Sequence, residues 1–246
     1  GLVKDDWAFS ELGSVMMATV GTVVVLGTLL LPATQGQPRG LDGKPQRMAL
    51  WSSYRPLLRQ RNVHLLIGLR LSITTFWGMA SLILPLLIFR ASGSAATTAF
   101  YASVSLAFAA GGQLLTGLAR DRFGRKAPLL VSATGIVVSA LCLSVSTDSV
   151  SLLFVFGTAL TTTAWAVSTL VPVLVAEVAT AEEKNRLVGL GHFIWSAAMV
   201  TGSLLGGWLV QIDPAMPFTL GAGAAAIGTL CAWQLCRRLK QAMATG

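Results

Sequence analysis

Charged side chains are scarce in this sequence. Asp, Glu, Lys and Arg make up only 11% of its 246 residues, whereas 54% of the residues are hydrophobic, and the mean hydropathy is +0.70. A typical soluble domain has about 25% charged residues. A composition this apolar excludes a soluble globular domain for most of the chain, because most of its side chains must face lipid or other apolar helices.

Cysteine and histidine are also rare, with three and two residues respectively. All three cysteines, Cys142, Cys231 and Cys236, fall inside or at the end of apolar segments, and their spacing matches neither a metal site nor a disulfide framework. No Ser or His pairs with an acid in a catalytic pattern, and no Gly-x-Gly-x-x-Gly motif follows a predicted strand. The sequence therefore predicts no metal site, no cofactor and no enzymatic activity.

Long apolar segments dominate what remains. A spanning helix needs about 20 predominantly apolar residues, and the alternating strands of a membrane barrel are missing from the pattern. The 25 glycines favour closely packed helices. The predicted fold is an all-α membrane protein with seven transmembrane helices, at about Leu12–Ala33, His64–Phe89, Thr97–Ala119, Pro128–Val145, Val150–Ala176, Leu187–Val210 and Phe218–Cys236.

Lysine and arginine are concentrated on one side of these predicted spans. Fifteen of the eighteen lie on one side, Lys4 and Arg90 fall on the other, and Arg70 lies inside the second span. Six of the fifteen belong to a linker at 34–63, which follows the first span. Because cytoplasmic loops carry an excess of Lys and Arg, the linker and the C-terminus are predicted to be cytoplasmic. Membrane orientation thus explains the net charge of +8, and no nucleic-acid partner is predicted.

A cluster of charges joins the third and fourth predicted spans. It reads Gly-x-x-x-Asp-Arg-x-Gly-Arg-Lys. Gly117 is small enough to let a neighbouring helix approach closely, Gly124 permits the positive φ of a tight turn, and Asp121 is an anion that a nearby helix N-terminus would stabilise. Glu177, at the cytoplasmic end of the fifth span, is a carboxylate available to the basic residues. The defined positions of the motif are Gly117, Asp121, Arg122, Gly124, Arg125 and Lys126.

This motif resembles the loop motif of the major facilitator superfamily (MFS) of transporters. In that family it joins the second and third helices of a six-helix half, and here it joins the second and third of the six helices that follow the linker. Two weaker resemblances agree with it. The stretch from Glu177 to Arg186 is similar to the family's loop between the fourth and fifth helices, without its usual proline. The run Gly202-Ser203-Leu204-Leu205-Gly206-Gly207 is similar to a Gly-rich packing stretch of the fifth helix, without the proline of the antiporter version.

The resemblance implies a division of the chain into three parts. Residues 1–33 would hold the last transmembrane helix of an N-terminal half, residues 34–63 the basic cytoplasmic linker, and residues 64–246 the complete C-terminal half. The chain, which starts without Met, is then expected to be a fragment whose partner is the missing N-terminal half. The motif, Glu177 and Arg186 would form a cytoplasmic gate that latches helices together and releases them during turnover.

The function implied by the resemblance is secondary active transport of a small organic solute by alternating access, as a permease or efflux pump. Its expected partners are the solute, a proton or another coupling ion, and membrane lipid. The protein would be a multi-pass protein of the plasma or bacterial inner membrane, working as a symporter or an antiporter.

Polar residues inside the predicted spans are candidates for the substrate path, since such residues are costly in lipid and mark transport pathways. Arg70 either snorkels to the cytoplasmic surface or faces a cavity and meets an anionic solute. His192 is suited to carry a proton, unless the N-terminal half supplies the carrier. The remaining candidates lie on helices that line the cavity in the family, and they are Thr74, Trp77, Gln113, Thr161 and Trp165.

Two other kinds of membrane protein are alternatives. A seven-helix receptor also has seven spans and an Asp-Arg-aromatic triplet after the third span, as at Asp121-Arg122-Phe123. The Gly-Arg-Lys continuation and the lack of an Asn-Pro-x-x-Tyr run in the last span argue against it. The other alternative is a scaffold with a transporter fold and no transport activity.

Overall fold

Six long helices account for almost all of the residues that the structure describes. The structure is a computed structural model, and it describes residue 22 and residues 54–244, with side chains as far as Gln241. A short 3₁₀ helix, Leu57–Arg59, comes before the first of the long helices. We number these α1 (Arg61–Ser92), α2 (Ala95–Phe123), α3 (Lys126–Ser144), α4 (Val150–Val178), α5 (Lys184–Ile212) and α6 (Met216–Ala244).

All six helices are long and apolar enough to cross a membrane. Each predicted span after the linker coincides with one helix. The boundaries agree to about one turn of 3.6 residues, except that α6 continues about two turns beyond the predicted end at Cys236. The all-α membrane class is confirmed. The predicted number of seven is not matched, because Leu12–Ala33 lies outside the described residues apart from residue 22, and the described part of the chain has six spans.

Helices that are distant in sequence form the main contacts of the bundle. α1 packs most extensively on α5 and α6, α2 packs on α4, and α3 packs on both α4 and α6. α1 also touches α4, and its Leu69, Phe76 and Ile83 are almost completely buried. α1 is therefore the element around which α4, α5 and α6 are arranged.

Small residues form the crossing of α1 and α5. A Cβ atom added to Gly78 would lie 2.7 Å from the Met199 carbonyl oxygen, and one added to Gly202 would overlap the Thr75 carbonyl group. The Ser203 hydroxyl donates a hydrogen bond of 3.2 Å to the Gly78 carbonyl oxygen across the same crossing. The Gly-rich stretch of α5 thus brings two helix backbones into contact, which only residues without a side chain allow.

Cations gather at one end of the bundle, which we call the basic face. Side-chain hydrogen bonds connect its elements: Gln60 Nε2 donates to Glu183 Oε1 over 2.9 Å, and Arg238 Nε donates to Asn62 Oδ1 over 3.1 Å. At the opposite end of the bundle the described residues include one cation, Arg90, in the last turn of α1. The cations of the basic face are Arg55, Arg59, Arg61, Arg120, Arg122, Arg125, Lys126, Lys184, Arg186, Arg237, Arg238 and Lys240.

The charged motif is mostly helical, with a turn of two residues. Gly117 to Phe123 belong to α2, and Lys126 begins α3. Gly124 between them has φ 73° and ψ 173°, a backbone region that is essentially limited to glycine, so the predicted positive φ is confirmed. A Cβ atom added to Gly117 would meet nothing within 4 Å among the described residues, so none of the six described helices makes the close approach that was expected there.

Candidate functional site

A cavity of about 250 Å³ lies between α1, α4 and α5. Five of the predicted path residues are in its wall: Arg70, Thr74 and Trp77 from α1, Trp165 from α4 and His192 from α5. The three residues of α1 follow one another at spacings of four and three, which places them on one face of a helix. Helical periodicity therefore places the three α1 residues on one face. The packing of α1 on α4 and α5 brings Trp165 and His192 to the same cavity.

Arg70 faces this cavity. Its Nη1 donates to the Ser168 hydroxyl oxygen at 3.5 Å, the long limit for such a bond, and its buried Nε has no partner among the described residues. The described carboxylates all lie near helix ends or in turns, at Asp121, Asp148, Glu177, Glu182, Glu183 and Asp213. An arginine side chain remains charged in proteins. The cavity wall therefore contains a permanent cation that no described carboxylate neutralises.

His192 contributes a second polar group to the wall. Its Nδ1 lies 3.0 Å from the carbonyl oxygen of Val188, one turn earlier in α5. Because a carbonyl oxygen can only accept a hydrogen bond, Nδ1 carries the hydrogen, and in the neutral ring Nε2 is then an acceptor. The imidazole is exposed, so Nε2 can accept a hydrogen bond from a solute.

Two predicted path residues lie outside the cavity wall. Thr161 is buried one turn away from Trp165, where its hydroxyl donates to the Gly157 carbonyl oxygen over 2.8 Å. At this level α4 packs on α2, through a 3.1 Å hydrogen bond between the hydroxyls of Ser105 and Thr158. Gln113 is half-buried on α2, a helix that contributes no residue to the wall.

Sequence reasoning missed Ser168 and Trp195, which also line the cavity. Ser168 lies three residues after Trp165, and Trp195 lies three residues after His192. Residues at this spacing share a helix face. Both residues could therefore have been predicted from their spacing of three residues from Trp165 and His192, which were already candidates.

Arg125 and Glu177 form a close ion pair at the basic face, between Nη1 and Oε1. Arg125 lies in the turn between α2 and α3, and Glu177 lies in the last turn of α4. The two side chains are 19% and 29% exposed, so the surrounding helix ends screen the pair from water in part. The pair connects the charged motif to a helix that also lines the cavity.

Two other motif residues, Asp121 and Arg122, contact their neighbours in the chain. Asp121 has 74% of its side chain exposed, and its carboxylate lies 3.9 Å from the guanidinium of Arg120. It belongs to the last turn of α2, where the helix dipole disfavours an anion, and its predicted position against a helix N-terminus is not found among the described residues. Arg122 stacks on the Phe123 ring at 5.4 Å. Lys126 is the first residue of α3, and Arg186 lies in the first turn of α5.

Comparison with known families gives one match. The family model of the Major Facilitator Superfamily matches residues 66–242, a range that runs from the first turns of α1 into the end of α6 and includes the cavity and the ion pair. A search of curated proteins gives no match. Members of this superfamily are transporters of small-molecule solutes, not enzymes. The chain belongs to the Major Facilitator Superfamily.

Proposed function

We propose that this chain is part of a secondary active transporter that moves a small organic solute across a membrane by alternating access. The observation that carries the proposal is the cavity between α1, α4 and α5, which Arg70, Thr74 and His192 face from otherwise apolar helices. Polar groups at such positions are costly in lipid and mark solute pathways. The wall consists of polar groups within a largely apolar lining, the arrangement expected for a small-molecule site.

The proposed arrangement in the membrane follows from the charges. The helices α1 to α6 are the C-terminal half of the transporter, residues 1–33 supply a seventh span that belongs to the N-terminal half, and residues 34–63 connect the halves. The excess of cations at the basic face supports a cytoplasmic location for that face, by the positive-inside rule. In this proposal α6 ends on the cytoplasmic side of the plasma or bacterial inner membrane. The N-terminal half completes the wall of the cavity.

Protons are the proposed coupling ion. His192 is the one histidine among the described residues that line the cavity. Histidine is the side-chain type that exchanges protons near neutral pH. The geometry at Val188 leaves its Nε2 available to a proton from the cavity. An imidazole that alternates between charged and neutral forms can bias which side of the membrane the cavity faces.

Solute flux tests this function. The intact gene product, reconstituted in proteoliposomes, is expected to accumulate at least one member of a panel of radiolabelled organic acids, amines and sugars when a proton gradient is imposed. Empty vesicles and vesicles without a gradient are the controls. Activation of a G protein without any flux would support a receptor, and neither activity in a folded, correctly oriented protein would support the scaffold.

The Arg125–Glu177 ion pair is the proposed gate on the basic face. An ion pair near a protein surface contributes roughly 0.2–1 kcal/mol, which changes the ratio of two conformations by only about fivefold at most. A contact of this strength favours the state in which it forms, and thermal motion still opens it during turnover. Because it joins the α2–α3 turn to α4, its opening lets these elements separate at the basic face.

Cysteine crosslinking tests the gate. In a full-length protein whose native cysteines are replaced by alanine, the double variant Arg125→Cys and Glu177→Cys is expected to crosslink in the outward-open state and to lose the crosslink in the inward-open state. The control is Asn62→Cys with Arg238→Cys, a hydrogen-bonded pair on the same face that reports reagent access. Equal crosslinking of Arg125→Cys and Glu177→Cys in both states would contradict the gating role.

A further inference from the structure

We propose that the cavity between α1, α4 and α5 selects an organic anion with a flat, apolar body, such as an aromatic carboxylate. This inference rests on the proposed function, because it names the class of solute that the transporter carries. Three features of the wall lead to it. They are the unused hydrogen-bond donors of Arg70, the absence of carboxylates among the described lining residues of the cavity, and the three tryptophans in the wall.

Arg70 supplies the recognition of charge. Its Nε is buried without a partner among the described residues, and its one described hydrogen bond, to Ser168, has the long distance of 3.5 Å. A guanidinium has five N–H donors in a planar fork that matches a carboxylate. Most of the N–H donors of Arg70 therefore have no partner among the described residues. A carboxylate in the cavity would neutralise the charge and accept hydrogen bonds from these donors.

Three tryptophans supply the recognition of shape. Trp77, Trp165 and Trp195 come from α1, α4 and α5, so one indole ring enters the wall from each helix. Indole faces pack well on flat aromatic groups. For scale, a cavity of about 150 Å³ in another protein holds benzene. The volume of about 250 Å³ here therefore suits a body of one or two fused rings together with its carboxylate.

The same wall argues against other classes of solute. An organic cation would be attracted by the indole faces, but Arg70 would repel it and no described carboxylate lines the cavity to offset this. A sugar has many hydroxyl groups that need partners when they leave water. The polar side chains of the described lining are only Arg70, Thr74, Ser168 and His192, besides the indole N–H groups.

Binding of 2-naphthoate and of its neutral analogue 2-naphthamide to the intact protein tests the inference. The readouts are quenching of tryptophan fluorescence and equilibrium dialysis. Naphthoate is expected to bind at least tenfold more tightly than the amide. Arg70→Gln is expected to remove this preference, and Arg70→Lys, which keeps the charge, is expected to retain most of it. All three proteins are checked for unchanged melting temperature, and Arg70→Met, which also removes the charge, replaces Arg70→Gln if that variant does not fold.

Three results would overturn the inference. They are equal binding of the acid and the amide, an undiminished preference in Arg70→Gln, and the failure of naphthoate and of smaller aromatic acids to bind the folded protein. Flux separates this inference from the proposed function. Transport of neutral or cationic solutes but no anion would overturn the anion class alone, whereas binding of naphthoate with no flux of any solute would count against transport.

Discussion

Gly202→Val is expected to prevent α1 and α5 from crossing closely and to destabilise the protein severely. A side chain at this position overlaps the Thr75 carbonyl group of α1, and Gly78 lies directly opposite, so two rigid backbones meet without a flexible side chain between them. The helices must move apart, which also stretches the 3.2 Å hydrogen bond from Ser203 to the Gly78 carbonyl oxygen. In a membrane, close packing itself drives helix association, so other apolar contacts do not replace what is lost.

We expect a loss of about 3 kcal/mol or more, the upper range for overpacking a well-packed contact. For a protein of this size the melting temperature would then fall by roughly 6–12 °C, and the yield of monodisperse protein in detergent would fall with it. Gly207→Val is the matched control in the same stretch of α5. A Cβ atom at Gly207 meets its nearest neighbour, Leu82 Cδ2, at an ordinary 3.9 Å. Equal destabilisation by the two variants would show that the close crossing does not limit stability.

Ala164→Trp is expected to abolish solute flux while leaving the fold intact. Ala164 lies in α4 and lines the cavity, where it is half-buried. An indole ring at this position would occupy much of the 250 Å³ and would clash with any solute that uses it. We expect flux in proteoliposomes to fall by at least about tenfold, because the indole ring would fill space that the solute needs and would clash with it.

Ala107→Trp controls for the bulk and the aromatic character of the new residue. Ala107 is exposed on α2, which does not contribute to the cavity wall. This variant is expected to transport at the rate of the unmodified protein. Both variants are first compared by melting temperature and by size-exclusion profile, so that loss of flux is measured on folded protein. Normal flux in folded Ala164→Trp would place the solute path elsewhere.

The helices were predictable because they depend on properties of local sequence. Hydropathy summed over about 20 residues decides whether a segment can lie in lipid, and this sum located α1 to α6 with errors of about one turn at most boundaries. The positive φ at Gly124 was predictable for a related reason, since so short a connection between two helices needs a residue without a Cβ atom. The motif at Gly117–Lys126 also identified the family that the match to residues 66–242 shows.

The candidate site was only partly predictable. Arg70, Thr74 and Trp77 share a face through their spacing alone. Whether that face looks into a cavity, into lipid or onto another helix depends on how α1 rotates against α4 and α5. For the same reason Thr161, one turn from Trp165, lies at the contact with α2, and Ser168 and Trp195 were missed although they line the cavity.

The sequence by itself determined the membrane class, the six described spans, the asymmetry of charge and the family, because each follows from composition or from a contiguous motif. The tertiary structure decided which residues meet. It showed that, among the described residues, Gly202 makes a close helix contact and Gly117 does not. It joined Arg125 to Glu177, 52 residues away in the chain, and it brought one indole from each of three helices into the wall of the cavity that Arg70 also lines. These outcomes depend on the packing of helices that are distant in sequence, which hydropathy and local spacing do not contain.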